Sequence, residues 1–159
     1  AGRAAGGIRW GHTRIGVHTG MARVGNIGTR GKLKDGALGD TLNTASRVEG
    51  LNKYIGSRVA VTGETAAQCR RQAFRPVGDI IVKGRKNAVP ILAPVSPADP
   101  PALLARYAEA YAALSQEKPE AAELFAALHF DFPTDAPAAF HARRLAAGES
   151  GVLVAMQEK

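Results

Sequence analysis

The sequence of 159 residues contains almost no cysteine and no long hydrophobic run. Its single cysteine, Cys69, excludes a disulfide framework and any metal site built from several thiolates, and it fits a reducing compartment. No uninterrupted apolar run approaches the roughly 20 residues that a bilayer-spanning helix needs. The chain starts Ala1-Gly2-Arg3, without the hydrophobic region of a signal peptide. We therefore interpret it as a piece of a longer protein.

Basic residues are concentrated in the first part of the chain. Residues 1–95 contain 16 Lys/Arg and 5 Asp/Glu, whereas residues 96–159 contain 5 and 9. This imbalance favours an anionic partner for the first part, either a nucleic acid or a nucleotide phosphate. A merely solvated basic surface is the alternative, and charge alone does not choose between them.

The composition changes near residue 95. Residues 94–101 include four prolines, and proline restricts φ and removes the backbone donor, which predicts an extended connector. We therefore divide the chain into a first module over residues 1–95, a linker over 96–101 and an alanine-rich helical tail over 102–159. The tail has the order helix, turn, helix and proline, which resembles one tetratricopeptide-like hairpin. One such hairpin cannot bury a core alone, so it should pack on the first module or on a partner.

The first module is predicted to contain short strands and one long helix. Alternating residues over 14–19 predict a strand, with 21–27 as its hairpin partner and a polar loop over 28–36. A helix is predicted from Asp40, as N-cap, to about residue 55. The other predicted elements are a strand over 58–61, a short helix from Thr62 that carries Ala66, Ala67 and a buried Cys69, strands over 74–82 and 88–95, and tail helices over 102–116, 119–130 and 136–147.

The long helix carries the residues that best fit binding chemistry. Asn43 and Arg47 are four residues apart and so leave the same side of the helix, while Leu42, Ala45 and Val48 are predicted to pack it on a sheet. An amide beside a guanidinium can hydrogen-bond a sugar oxygen and hold a phosphate. A solvated polar stripe with an ordinary surface arginine is the alternative, and the spacing leaves both open.

Four short sequence motifs, which follow one another along the chain, extend this interpretation beyond the helix. They read RIGVHTG at 14–20, VGNIG at 24–28, GDTLNTASR at 39–47 and VKGR at 82–85. Together they resemble the second half of the catalytic domain of class III nucleotidyl cyclases, the adenylate and guanylate cyclase family. The resemblance implies an α/β (α+β) ferredoxin-like fold, here as a fragment, and a head-to-tail homodimer with active sites at the interface.

The resemblance also implies a reaction and roles for particular residues. A ribose 3′-hydroxyl attacks the α-phosphorus of a nucleoside triphosphate, ATP ahead of GTP, and expels pyrophosphate. Asn43 would orient the ribose, Arg47 would stabilise charge on the α-phosphate, and Lys83 would bind the terminal phosphates. The family's Mg²⁺ or Mn²⁺ is held by two aspartates that precede the first motif, so we expect no metal ligands in this chain and no activity from it alone.

Base choice and location follow from the same resemblance. The position that contributes to base recognition is Gly36, which offers no side chain, and its neighbour Asp35 could substitute if the loop shifts by one residue. The tail resembles the helical extension of bacterial cyclases that carry a membrane-bound sensor. This places the parent at the membrane, with the present part in the cytoplasm and no nucleic acid as partner.

Two other functions remain as alternatives. The first is a non-catalytic cyclase homology module that serves as a dimerisation or regulatory partner, which Gly36 and the missing aspartates favour. The second is a basic ferredoxin-like module that binds RNA, but residues 14–27 contain no aromatic side chain to stack on bases. His18 has no second His or Cys at metal-ligand spacing and is interpreted as a packed or surface histidine.

Overall fold

A mixed sheet with helices packed against it forms the protein, in an α+β arrangement. The computed structural model describes residues 11, 13–29, 32–81 and 87–155. The strands are β1 (Ile15–Val17), β2 (Arg23–Thr29), β3 (Lys32–Leu38), β4 (Val59–Thr62), β5 (Phe74–Ile81), β6 (Val89–Pro94) and β7 (Leu153–Ala155). The helices are α1 (Asp40–Ile55), α2 (Gly63–Ala66), α3 (Pro101–Ser115), α4 (Ala121–Asp131) and α5 (Ala136–Ala146).

Five of the strands form one sheet in the order β1-β4-β6-β5-β7. β1 and β4 are parallel because α1 lies between them in the chain and returns it to the same end of the sheet. β4, β6 and β5 pair antiparallel, and β7 pairs parallel to β5. β2 and β3 form a separate two-stranded hairpin. Among the described residues β1 is therefore an edge strand of the sheet, and the hairpin β2–β3 lies between β1 and α1 in the chain.

The described residues form two hydrophobic cores. The first lies between the sheet and two helices, with Val48, Leu51 and Ile55 from α1 and Phe140 from α5. The second lies within the tail, where α3, α4 and α5 bury aromatic and leucine side chains such as Tyr107 and Phe125. Because α5 contributes to both cores, the tail helices and the sheet are packed together.

Polar contacts also join the tail to strand β5. The Tyr107 hydroxyl donates to the carbonyl oxygen of Pro76 at 2.8 Å. The guanidinium of Arg75 forms an ion pair with Asp135 and lies 4.8 Å from the centre of the Tyr107 ring. Asp135 in turn accepts a hydrogen bond from the amide of Ala138 and caps α5. Both charged side chains are almost completely buried, so the pair stabilises this junction only while it is intact.

Strand β7 brings the end of the tail back to the sheet. The amide of Asp79 donates to the carbonyl oxygen of Val152 at 2.9 Å. Gly78 has φ 149°, and a Cβ there would lie 2.8 Å from that same oxygen. Arg144 holds the approach to β7, since its guanidinium donates to the carbonyl oxygens of Gly151 and Leu153. No pattern in the sequence of the tail predicted this strand.

The predicted hairpin of residues 14–19 with 21–27 is wrong. β1 pairs with β4 instead, and β2 pairs with β3, so the segment 28–36 expected to be a loop lies largely in two strands. The physical reason is that the chain from Gly20 to Ala22 runs to the start of α1, where Thr41 donates to the carbonyl oxygen of Met21. The chain after β1 is thus carried away from the sheet, and β2 pairs with β3.

The remaining secondary structure follows the predictions closely, with one exception. The predicted strands at 58–61, 74–82 and 88–95 and the three tail helices are confirmed within a few residues. The predicted burial of Cys69 is wrong: α2 ends at Ala66, so Cys69 follows the helix and is exposed. The module boundary at 96–101, the ferredoxin-like description and the tetratricopeptide-like hairpin stay predictions. No helix in the described part of the chain is long and apolar enough to cross a bilayer.

Candidate active site

The site helix α1 begins and ends at glycines. Its N-cap is Gly39 with φ 143°, and Asp40, predicted as the cap, is the first helical residue. A carboxylate in the first turn still interacts favourably with the helix dipole. At the other end Gly56 adopts φ 82°, and its amide donates to the carbonyl oxygen of Asn52. The predicted span of 40–55 is confirmed.

The buried side of α1 differs from the predicted one. Its buried residues are Thr44, Val48, Leu51, Asn52 and Ile55, which follow the helical period of 3.6 residues. Leu42 was predicted to pack on the sheet but is 40% exposed. The predicted set was spaced by three residues, and such a set drifts around the helix: nine residues at about 100° each place Leu42 about 180° from Leu51.

A close backbone contact sets the distance between α1 and β1. A Cβ at Gly16 would lie 2.1 Å from the amide nitrogen of Glu49 and 2.5 Å from the carbonyl oxygen of Ala45. Only a residue without a side chain permits this approach. One turn later the side-chain amide of Asn52 donates to the carbonyl oxygen of Ile15 at 3.0 Å. These contacts hold one flank of α1 directly on the edge strand.

Asn43 and Arg47 lie on the opposite flank of α1. Each precedes a buried residue, Thr44 or Val48, by one position, which turns it about 100° from the buried side and away from β1. Asn43 is exposed and Arg47 is half-buried. Within the described residues, no hydrogen bond or ion pair engages either side chain. The helix is thus held by its other sides, and an amide and a guanidinium one turn apart are left available for a ligand.

The other predicted site residues lie in a strand of the hairpin or outside the described part. Asp35 and Gly36 are in β3, where they pair in register with Asn26 and Gly25 of β2. They are therefore in a hairpin strand and not in the predicted loop. Lys83 lies outside the described residues, as does the rest of the VKGR motif.

A cavity of about 410 Å³ adjoins the start of α1 and was not predicted. It is lined by Met21, Ala22, Arg23 and Gly39. The segment that leads from β1 to β2 therefore forms one wall and the helix N-terminus forms another. The sequence signal that could have indicated this cavity is Gly39. A glycine before a helix N-terminus is a common cap and keeps the backbone accessible.

The described residues do not provide a metal site. No group of three or more His, Cys, Asp or Glu side chains among them is placed to hold a metal ion. They therefore do not fit the Mg²⁺ or Mn²⁺ that the resemblance implies.

In the described part of the chain, the groups with clearly shifted pKa values lie in the tail. Burial, together with the nearby Arg144, lowers the pKa of His141 to about 3. Burial also raises the pKa of Tyr107 strongly and that of Tyr111 to about 12. These groups form an aromatic cluster, in which the rings of Phe125 and His141 lie 4.6 Å apart. Their shifts reflect packing in the second core.

Comparison with known proteins supports the resemblance. Over 80 residues the chain is 48% identical to "Adenylate cyclase 1" of Rhizobium meliloti. The matched region covers 50% of this chain and 12% of that protein. It is 36% identical over 83 residues to "Adenylate cyclase, terminal-differentiation specific" of Dictyostelium discoideum, covering 50% of this chain and 4% of that one. A third match, 38% identical over 48 residues, is "Adenylate cyclase" of Anabaena cylindrica, with coverage of 30% and 10%.

The chain thus corresponds to only a small part of the length of each relative. The family model for the adenylate and guanylate cyclase catalytic domain matches residues 11–92, which is half of the chain. The match includes the whole of α1 and both parallel strands that position it. The chain therefore belongs to the adenylate and guanylate cyclase catalytic domain family.

Proposed function

We propose that this chain contributes Asn43 and Arg47 to an active site that converts ATP to 3′,5′-cyclic AMP and pyrophosphate. The observation that carries the proposal is the pair itself: two polar side chains one turn apart, unengaged by other described residues, on a helix held firmly at its other sides. ATP is preferred to GTP because the matched relatives are named adenylate cyclases. Cyclic nucleotide production of this kind serves signal transduction.

Each of the two side chains has a separate task in this proposal. The Asn43 amide has a donor and an acceptor and orients the ribose through its hydroxyl groups. The Arg47 guanidinium stabilises the negative charge that develops on the α-phosphate as the 3′-oxygen attacks and pyrophosphate leaves. Removal of such a preorganised donor typically costs about 3–4 kcal/mol of barrier. Lys83 binds the terminal phosphates as a compact charge, and Asp35 or Gly36 borders the base.

The partner that completes the site is a second cyclase domain, most simply a second copy of the same protein. The hairpin β2–β3 supports this, because it stands outside the main sheet and an isolated two-stranded sheet is only marginally stable in water. Met21 and Val24, beside and within it, are 93% and 82% exposed. A divalent ion, Mg²⁺ or Mn²⁺, would be held by carboxylates other than those described. The expected location is the cytoplasm, at the membrane face if the parent is anchored there.

A second candidate function is a non-catalytic homology module that dimerises with an active cyclase and regulates it. The absence of a side chain at Gly36 and of a metal-binding cluster in the described residues favours it. The two functions differ in one respect, since only the catalytic one requires the chemistry of Asn43 and Arg47. A dimerisation module would tolerate alanine at both positions.

Reconstitution of a shared active site tests the proposal. The 159-residue chain is mixed with a complete cyclase domain whose own asparagine and arginine equivalents are replaced by alanine, and cyclic AMP and cyclic GMP are measured with Mn²⁺. We expect neither component alone to be active and the mixture to form cyclic AMP. Arg47→Ala should lower kcat by roughly 10²–10³-fold, because it removes a donor needed mainly in the transition state.

A matched control separates this effect from a general loss of positive charge. Lys53→Ala removes one charge from an exposed position of the same helix and should leave kcat unchanged. Equal activity of the Arg47→Ala and unsubstituted chains contradicts the catalytic proposal. If the mixture is then still more active than the complete domain alone, the regulatory function replaces it.

A further inference from the structure

The carboxyl ends of the parallel strands β1 and β4 carry a hydrogen-bonded group of side chains for which the proposed mechanism has no use. Nδ1 of His18 lies 3.0 Å from the Thr62 hydroxyl. That hydroxyl is 3.3 Å from the Thr65 hydroxyl, which also lies 3.0 Å from the hydroxyl of Thr19. The imidazole is only 4% exposed and Thr62 is fully buried. A buried polar group of this kind keeps its position because losing its partner is costly.

The other side of the His18 ring faces the route to α1. A Cβ at Gly20 would lie 3.3 Å from Nε2 of His18 and 2.7 Å from the hydroxyl oxygen of Thr41, so both atoms border the space that this glycine leaves. Thr41 is in the first turn of α1 and donates to the carbonyl oxygen of Met21. Residues 18–22 therefore connect the ends of two sheet strands to the start of the site helix.

We infer that His18 is a positioning residue for the ribose-binding end of α1. It fixes the segment 18–22 on β4 through Thr62, and that segment fixes the first turn of α1 through Thr41. Asn43 follows two residues later in the same helix. The inference rests on the proposed function, because misplacement of the first turn of α1 would lower activity by moving Asn43.

The segment that His18 fixes also forms a wall of the cavity beside α1. Met21 and Ala22 line that cavity together with Gly39, the cap of the helix. If the segment shifts, the cavity wall and the first helical turn shift together. A shift of about 1 Å at a positioned group can reduce a rate by as much as 10²-fold. Arg47 lies one turn further along and is held by the contacts of Ala45 and Glu49 with Gly16, so its task in binding the α-phosphate should be less affected.

Three variants test the connection in the reconstituted enzyme. His18→Leu keeps a side chain of similar bulk but removes both ring nitrogens. His18→Asn keeps a polar atom near the position of Nδ1. Gly20→Ala retains the histidine but puts a methyl group 2.7 Å from the Thr41 hydroxyl oxygen, which must move, and 3.3 Å from Nε2 of His18. We expect kcat to fall roughly tenfold in His18→Leu and Gly20→Ala, with KM for ATP within about twofold, and to recover largely in His18→Asn.

A control variant separates positioning from general loss of stability. Leu128→Ala removes a fully buried side chain of the second core and should cost about 2–5 kcal/mol of unfolding free energy. Assayed well below its unfolding temperature, it should retain the kcat of the unsubstituted chain. An unchanged kcat in His18→Leu overturns the inference, and so does an equal loss in the Leu128→Ala control.

A measurement independent of activity keeps the two proposals apart. Amide hydrogen exchange of the 159-residue chain alone reports on residues 43–46, whose amides donate to the carbonyl oxygens of the cap and first turn of α1. Faster exchange there in His18→Leu, reversed in His18→Asn, supports the inference, and unchanged exchange overturns it. An unchanged kcat in Asn43→Ala contradicts the proposed function instead, and leaves the exchange result on His18 to stand by itself.

Discussion

The contact of Gly16 with α1 predicts that a single methyl group will damage both stability and catalysis. In Gly16→Ala the new Cβ would lie 2.1 Å from the amide nitrogen of Glu49, and this atom belongs to the helix backbone. A contact of 3.4 Å, the lower end of the ordinary range, requires α1 to move away from β1 by about 1.3 Å. The helix carries Asn43 and Arg47 with it. A rigid helix cannot absorb the clash by turning a side chain.

The expected magnitude follows from these distances. Overpacking of this kind costs about 1–3 kcal/mol of unfolding free energy, and the involvement of backbone atoms places Gly16→Ala at the upper end. Displacement of the site residues by about 1 Å should lower kcat of the reconstituted enzyme by up to roughly 10²-fold. The measurements are urea unfolding of the chain alone and the initial rate of cyclic AMP formation.

Gly50→Ala is the matched control on the same helix. A Cβ at Gly50 meets nothing within 4 Å, and alanine is favoured over glycine inside a helix by about 1 kcal/mol. This variant should therefore be slightly more stable than the unsubstituted chain and equally active. If Gly16→Ala unfolds at the same urea concentration as the unsubstituted chain and retains its rate, the argument that this contact sets the position of the site is refuted.

Three further predictions concern the junction between the sheet and the tail. Asp135→Asn should lower the free energy of unfolding, measured in urea, by about 3–5 kcal/mol because it leaves the Arg75 guanidinium buried without its partner. Asp135→Ala should lower it by about 1 kcal/mol more, because the cap of α5 is lost as well. The pKa of His141 falls from 6.5 to about 3 on folding, so the unfolded chain binds the proton first as the pH is lowered. The free energy of unfolding should therefore decrease as the pH falls from 6.5 towards 3, by up to about 1.4 kcal/mol per pH unit. The decrease should be shallower in His141→Leu. Gly78→Ala should bring its Cβ against the carbonyl oxygen of Val152 and speed amide exchange across β7, and unchanged exchange there would contradict the close pairing with β5.

Local sequence signals predicted the helices well because capping and apolar spacing act over a few neighbouring residues. The helix over 40–55 and the three tail helices show this most clearly. Strand pairing was less predictable, since a strand's partner is chosen by the whole fold. Nothing within residues 14–19 indicates that β1 pairs with residues 59–61, more than 40 positions later. The hairpin error arose because neighbours in sequence were assumed to be neighbours in the sheet.

The candidate site was predictable in part for the same reason. The separation of four residues between Asn43 and Arg47 placed them on one flank of a helix before any tertiary structure was known. Which flank is buried could not be derived from a spacing of three residues, and Leu42 was misplaced as a result. The role of Gly16 was also hidden, because a glycine that permits close approach looks in sequence like any other strand glycine. Contacts of this kind become visible only when helix and sheet are seen together.

The late position of β7 in the chain has a consequence for synthesis. Its partner β5 emerges from the ribosome more than 70 residues earlier, and among the described strands only β7 pairs with the outer edge of β5, after the three tail helices have followed. Contacts of such long range form slowly, and an exposed strand edge invites pairing with other chains. Nascent chains that stall within the tail would therefore expose the unpaired edge of β5, and pairing with β7 would protect that edge against aggregation during translation.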